Sequence, residues 1–248
     1  MNIKIVIPAR YGSSRLPGKP LLDINGKPII WHVVRRCVEA GFSLRDIVVA
    51  TDDQRIFDAL TGFDMTAVMT SADHQSGSDR IYEVASICNW PDDTIVINVQ
   101  GDEPLIPSEL IQSVSAYAKE KPEFVITTAV TPISNAEEFT NPNVVKAILG
   151  NNGRALYFTR SASPFCRDNP TCLELAFRHI GIYTYRVAAL REFCSFPEAP
   201  LERYEKLEQL RALNHGLSIG ATIYHGNIPH GVDTIEDYHQ IKKLMENN

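Results

Sequence analysis

The sequence predicts an α/β fold built on a mostly parallel central sheet, with an antiparallel element inserted in its second half. Three observations carry this expectation. Short apolar runs alternate with helix-period segments through the first half of the chain. The strand candidates there are apolar on both faces, as strands of a sheet covered on both sides must be. Past residue 124 the alternation gives way to strand candidates flanking a tight-turn sequence.

Residues 3–7 are rich in β-formers and stop at Pro8, which predicts a buried first strand. Pro28 opens a helix with Ile29, Ile30, Val33, Val34, Cys37 and Val38 on one face, and Gly41 closes it. Residues 47–50 form a second strand, and Asp52-Asp53 begins a short helix through Leu60. A third strand spans 66–69. A helix over 78–88 turns Ile81, Val84, Ala85 and Cys88 inward. A fourth strand spans 94–99, and a helix follows over 107–119. Residues 125–130 form a strand. Residues 144–149 and 154–159 flank Asn151-Asn152-Gly153, a hairpin signal. Residues 177–185 form a strand. A helix over 201–213 places Tyr204, Leu207, Leu210 and Arg211 on its period. A strand over 218–224 and a helix over 234–245 close the chain. The expectation is a single domain, 1–248, with a lobe and not two independent units.

Composition narrows the function. The net charge of -6 over 248 residues argues against a general nucleic-acid binder, which carries a basic face. No apolar run approaches the ~20 residues of a membrane span. The apolar start is cut by Pro8, too early for a signal sequence, so the expected location is the cytoplasm. The 5 cysteines form no C-x-x-C and no Cys/His cluster, which argues against a zinc site or a disulfide framework.

Residues 1–22 carry Lys4, Arg10, Arg15 and Lys19 and no acid, in a chain with 30 acidic residues. The loop that holds three of these cations follows the first strand, at the sheet edge where open α/β sheets bind ligands. Gly12, Ser13 and Ser14 let backbone N–H groups approach an anion. A solvated basic loop fits the composition equally; the placement favours phosphate. Gly18-Lys19 is followed by Pro20, so this is not a Walker A loop. Asp102 lies just past the fourth strand and faces the same crevice. Beside a polyphosphate it suits Mg²⁺, and alone it suits a helix cap. Asp233 precedes Thr234 and Asp237, a capping-box pattern, and on its own residues reads as a cap before it reads as a metal ligand.

Seven ordered segments together resemble the 3-deoxy-D-manno-octulosonate (Kdo) cytidylyltransferase family. They are Ile7 to Tyr11 continuing through Arg15 to Pro20, Asp73-His74-Gln75-Ser76-Gly77, Asn98 to Pro104, Ala155 to Arg160, Arg178 to Tyr183, Leu207 to Arg211, and Gly231 to Thr234. The resemblance implies a Rossmann-like nucleotidyltransferase in which residues 1–123 bind CTP. Residues 124–248 would serve the sugar acid and homodimerisation. It implies Mg²⁺-dependent transfer of CMP from CTP to the anomeric hydroxyl of a 3-deoxy-ulosonic acid, a step of lipopolysaccharide biosynthesis. By this pattern Arg10, Arg15 and Lys19 hold the triphosphate, with Arg10, Lys19 and Asp102 acting in catalysis. Ser76, Gly77, Arg80 and Gln100 surround the cytidine. Asp102 and Asp233 ligate Mg²⁺. Arg160, His179, Tyr183, Glu208 and Gln209 face the sugar acid.

On their own residues, His179 reads as a satisfied core histidine, Arg160 as a surface charge and Glu208 as part of an ordinary amphipathic helix. The segment from Ser161 to Asp168 departs from the family pattern. This keeps the 8-amino-8-deoxy analogue of Kdo open as the acceptor, with a sialic acid further off. A nucleotide-binding module without catalysis is disfavoured by Asp102 and Asp233. A GT-A-like glycosyltransferase is disfavoured because Gly101-Asp102-Glu103 lacks the first acid of a D-x-D pair.

Overall fold

A computed structural model describes residues 2–12, 15–74 and 76–247. Ser13 and Ser14 of the basic loop and Gln75 of the Asp73–Gly77 motif lie outside the described residues. The chain forms two units, Met1–Gln112 with Asn227–Asn248, and Ser113–Gly226. The second unit is thus an insertion in the sequence of the first.

The first unit begins with β1 (Ile3–Ala9), then the short hairpin β2 (Asp23–Ile24) and β3 (Lys27–Pro28), then α1 (Ile29–Glu39). It continues with β4 (Ile47–Thr51), α2 (Gln54–Thr61), β5 (Ala67–Met69), α3 (Gly77–Ile87) and β6 (Ile95–Asn98). Then α4 (Ser108–Glu120) carries the chain onward. The larger strands run in the order β6-β1-β4-β5, all parallel. Every residue of β4 and β6 is buried, which is why these strands read as unbroken apolar runs. The strand expected to stop at Pro8 runs on to Ala9. Pairing with β6 ends at Val6–Asn98, so the missing N–H of Pro8 removes no ladder bond.

The second unit holds β7 (Ile126–Pro132), α5 (Ala136–Thr140), β8 (Lys146–Leu149), β9 (Ala155–Thr159) and β10 (Phe177–Arg186). It continues with α6 (Val187–Ser195), α7 (Pro200–Glu205), α8 (Gln209–Asn214) and β11 (Ile219–Ile223). Here β10 pairs antiparallel with β7 and β8, and β8 with β9, while β11 runs parallel to β7. The chain then returns to the first unit, where α9 (Ile235–Glu246) is tied to the β2 strand by a Tyr238 hydroxyl that donates to the Asp23 carbonyl at 2.6 Å.

The continuous helix expected over 201–213 is broken. Lys206 takes left-handed backbone at φ 53 and separates α7 from α8. The buried Glu202 carboxylate spans the break: it accepts the Ala199 N–H at 3.0 Å and two Arg211 donors at 2.9 and 2.6 Å. The helical period continues across the break, which is why the pattern concealed it. Helix α6 was absent from the expectation because its residues follow a ten-residue strand without a breaker.

The turn between β8 and β9 forms where Asn151-Asn152-Gly153 predicts it, with Asn152 at φ 60 and Gly153 at φ 75. A Cβ on Gly153 would lie 2.5 Å from the Tyr117 hydroxyl and 2.8 Å from the Ala221 carbonyl oxygen. Gly153→Ala is therefore expected to lower stability by about 2 kcal/mol, measured as a shift of the urea midpoint. An unchanged midpoint would mean that the hairpin yields at no cost.

Candidate functional site

In the first unit, β1 and β6 are parallel neighbours, so the residues that follow them leave at one edge of the sheet. Arg10 follows β1 directly, and Gln100, Gly101 and Asp102 follow β6. Gly101 is what lets the two exits approach: a Cβ there would sit 2.5 Å from the Pro8 carbonyl oxygen. Between them lies a cavity of about 270 Å³ lined by residues that include Arg10, Gly12, Lys19, Gly77, Gln100 and Asp102. The structure thus brings the basic loop and the β6 carboxylate to one crevice, together with the start of α3.

The charges in this cavity are organised around Lys19. Gly18, at φ 71, turns the chain into the short turn that carries Lys19. Its Nζ lies 2.6 Å from Asp102 and 3.6 Å from Asp233. Arg15 reaches Asp233 at 3.3 Å. Asp233 is held beside Asp102 because the Val232 N–H donates to the Asp102 carbonyl at 2.8 Å. The capping pattern is also real, but the cap of α9 is Thr234, which leaves the Asp233 carboxylate to the cations. Glu103, beneath this pair, has its pKa raised to about 7 by burial and by the charges of Asp102 and Asp233. Two neighbouring carboxylates suit a hard divalent cation that takes its remaining ligands from water and phosphate. Among the described residues no group of three or more His, Cys, Asp or Glu side chains forms a metal cluster.

Ser76 caps α3, accepting the Asp79 N–H at 3.1 Å and donating to the Asp79 carboxylate at 2.8 Å. Gly77, at that helix start, lines the cavity, and the positive end of a helix favours an anion. Arg80 is fully buried one turn further on and is not among the residues lining the cavity. Its guanidinium pairs with Asp52 at 2.7 Å and donates to Thr70, just past the ends of β4 and β5. Asp52 was not singled out in the sequence, because an acid at a helix start needs no other explanation. Arg10 donates to the His74 carbonyl at 2.5 Å, and the His74 ring meets Glu83 at 2.6 Å.

In the second unit, Tyr183, Glu208 and Gln209 line one small cavity of about 20 Å³ with Tyr185 and Phe193. The break at Lys206 sets Glu208 and Gln209 at the start of α8. Among the described residues the buried Tyr183 hydroxyl has no hydrogen-bond partner. Burial first, then Tyr185 and the Glu208 charge, push its pKa well up. His179 packs against Phe158 and Tyr183 with ring centroids 5.0 and 5.2 Å away. Its Nε2 lies 3.0 Å from the Thr128 hydroxyl, and desolvation pushes its pKa down to about 3. It is therefore a neutral side chain, not a cation. Arg160 lies outside that cavity lining; its Nε donates to the Glu205 carbonyl at 2.7 Å and its Nη1 to the Pro142 carbonyl at 2.9 Å.

Comparison with known proteins gives a consistent result. Residues 4–219 match the family described as cytidylyltransferase. A 3-deoxy-manno-octulosonate cytidylyltransferase of Alteromonas mediterranea is 46% identical, covering 99% of each chain. One of Nitrosococcus oceani is 43% identical, covering 99% of this chain and 97% of its own. Among solved structures, a CMP:2-keto-3-deoxy-manno-octonic acid synthetase complexed with CTP matches at a TM-score of 0.91 and 40% identity, over 100% of this chain and 99% of the other. A cytidylyltransferase from Leptospira borgpetersenii, 20% identical with a TM-score of 0.65 over 100% of this chain and 88% of the other, shares the fold.

The state of His179 yields a pH dependence. Its pKa falls from 6.5 in the unfolded chain to about 3 in the fold, so below pH 6.5 the unfolded chain binds the extra proton. Stability is then lost as pH falls from 6.5 toward 3, by up to about 1.4 kcal/mol per pH unit. His179→Gln is expected to flatten this part of the curve of urea midpoint against pH. Parallel curves for the two proteins would show that the ring charges freely in the fold.

Proposed function

The chain belongs to the cytidylyltransferase family, and from that membership we propose that it transfers the CMP of CTP to the anomeric hydroxyl of Kdo, releasing pyrophosphate, as a step of lipopolysaccharide biosynthesis. The observation that carries this reading is the cavity where Arg10, Lys19 and the start of α3 face Asp102. It offers an anion-binding edge and a metal-binding carboxylate at one place, which nucleotidyl transfer from a triphosphate requires.

In this reading Arg10, Arg15 and Lys19 bind the triphosphate. Lys19 contributes more as charge builds on the departing pyrophosphate, so part of its effect falls on the transition state. Gly77 and Gln100 lie against the nucleotide, and Ser76 holds the helix start that presents Gly77. Arg80 supports that wall from beneath by bracing Asp52 and Thr70. Asp102 and Asp233 hold Mg²⁺. When bound, Mg²⁺ supplies positive charge to phosphate oxygens and lowers the pKa of a coordinated hydroxyl. Arg160, Tyr183, Glu208 and Gln209 orient the sugar acid. His179, neutral in its surroundings, shapes that site without adding charge. The sugar oxygen attacks the α-phosphorus in line with the leaving group, and catalysis is positioning together with charge neutralisation.

The protein is proposed to work as a homodimer in the cytoplasm. Leu156, Phe165, Leu175 and Tyr204 of the second unit are exposed, as side chains that a second copy covers would be. Among the described residues no disulfide joins the five cysteines, which suits a reducing compartment. Among the described residues no helix is long and apolar enough to cross a membrane.

Asp102→Asn is expected to fold normally and lose about 100-fold in kcat at limiting Mg²⁺; near-normal kcat there would remove Asp102 from the metal site. Lys19→Ala is expected to lower kcat/KM for CTP by about 100-fold with the sugar-acid KM little changed. Pyrophosphate release measured with Kdo, its 8-amino analogue and a sialic acid is expected to be fastest with Kdo. Preference for the sialic acid would reject the acceptor assignment.

A further inference from the structure

We propose that Glu205 is a positioning residue for the sugar-acid site, one that holds Arg160 in the orientation in which it receives the acceptor's carboxylate. This inference rests on the proposed role of Arg160. Glu205 is the last residue of α7, and its two ends grip the same neighbour. Its carboxylate accepts the Thr159 hydroxyl at 2.7 Å and the Arg160 main-chain N–H at 3.0 Å. Its carbonyl accepts the Arg160 Nε–H at 2.7 Å. The next carbonyl, of Lys206, lies 3.5 Å from Arg160 Nη2, and the left-handed turn at Lys206 is what leaves both carbonyls outside the helix ladder. On the other side, the buried Lys146 Nζ donates to the Arg160 carbonyl at 2.7 Å.

Arg160 is therefore fixed at its main-chain N–H, its carbonyl and through one donor on each of its three guanidinium nitrogens. The side chain meets only main-chain carbonyls among the described residues. Carbonyl dipoles orient a guanidinium but do not neutralise it. Of its five N–H donors three are engaged, which leaves two for an anion. A planar cation held in register with unused donors is suited to bind a carboxylate. The break that exposes the two carbonyls also begins α8, so one backbone feature sets both the Arg160 clamp and the placement of Glu208 and Gln209.

The test is steady-state kinetics of the full-length protein with CTP and Kdo for Glu205→Gln, Thr159→Val, Arg160→Ala and the double variant Glu205→Gln/Arg160→Ala. Glutamine keeps one acceptor oxygen for the Arg160 N–H, but it carries no charge and can meet the Thr159 hydroxyl only as a donor, so it cannot accept from both groups. Glu205→Gln is expected to raise the KM for Kdo about tenfold, with the KM for CTP within twofold of the parent. Thr159→Val should move the same parameter in the same direction by a smaller factor, and it serves if the glutamine variant does not fold. In the Arg160→Ala background the Glu205 substitution should add no further change. A general loss of structure would instead move both KM values and kcat together, and that result would overturn the proposal. So would an unchanged Kdo KM in a folded Glu205 or Thr159 variant while Arg160→Ala raises it. If Arg160→Ala itself leaves the Kdo KM unchanged, the sugar-site reading of Arg160 fails and the positioning role falls with it.

Discussion

The charge arrangement at the edge of β1 and β6 depends on Lys19. Asp102 and Asp233 come from chain segments more than a hundred residues apart, and Glu103 lies beneath them. Three carboxyl groups collected this closely repel one another; burial first, and then the charges of Asp102 and Asp233, raise the pKa of Glu103. Lys19, in contact with both aspartates, is the counter-charge they have in common, and Arg15 adds a second one at Asp233. A triphosphate with its metal carries both signs of charge, and this crevice already holds both. The close approach that makes it possible is steric: only glycine at position 101 lets the β6 exit lie on the Pro8 carbonyl.

The second unit solves a different problem by similar means. It gathers polar groups from β10 and the start of α8 around one small cavity. It does so with side chains that are themselves tied down by main chain. Lys146, fully buried, satisfies its ammonium with the carbonyls of Asn141, Val144 and Arg160 at 2.6–2.9 Å. Glu202 bridges the break between α7 and α8 through Arg211. Buried charges of this kind are costly unless fully bonded, and here the bonding partners are the loops that need to be ordered.

The family assignment and the fold therefore agree with the local chemistry at different levels. The parallel strands of the first unit place the residues that line its cavity at one edge, as expected for an open α/β sheet. The antiparallel strands lie in the inserted segment, as expected from the Asn151-Asn152-Gly153 turn. Solved relatives sharing only 20% identity keep this fold, so its layout tolerates wide change in sequence.

What the sequence determined by itself was whatever depends on neighbours along the chain. Strand and helix periods, the Gly153 turn, the Thr234–Asp237 cap and the acid-free stretch with Arg10, Arg15 and Lys19 could be read because each is a local pattern. Asp102 could be read because a residue just past a buried strand has a known place at the sheet edge. Only the tertiary structure decided the rest. Asp233 looked like a cap because Thr234 beside it is one; its distance from Lys19 depends on a contact across 214 positions. Arg80 was grouped with the cytidine contacts, yet its burial and its bond to Asp52 depend on how α3 packs on the ends of β4 and β5. The break at Lys206 left no mark, because the apolar period of α7 continues in α8 while a single φ angle reverses sign. Periodicity records which face of a segment is buried. It does not record which charges meet across the chain, because that depends on distances that only the folded chain sets.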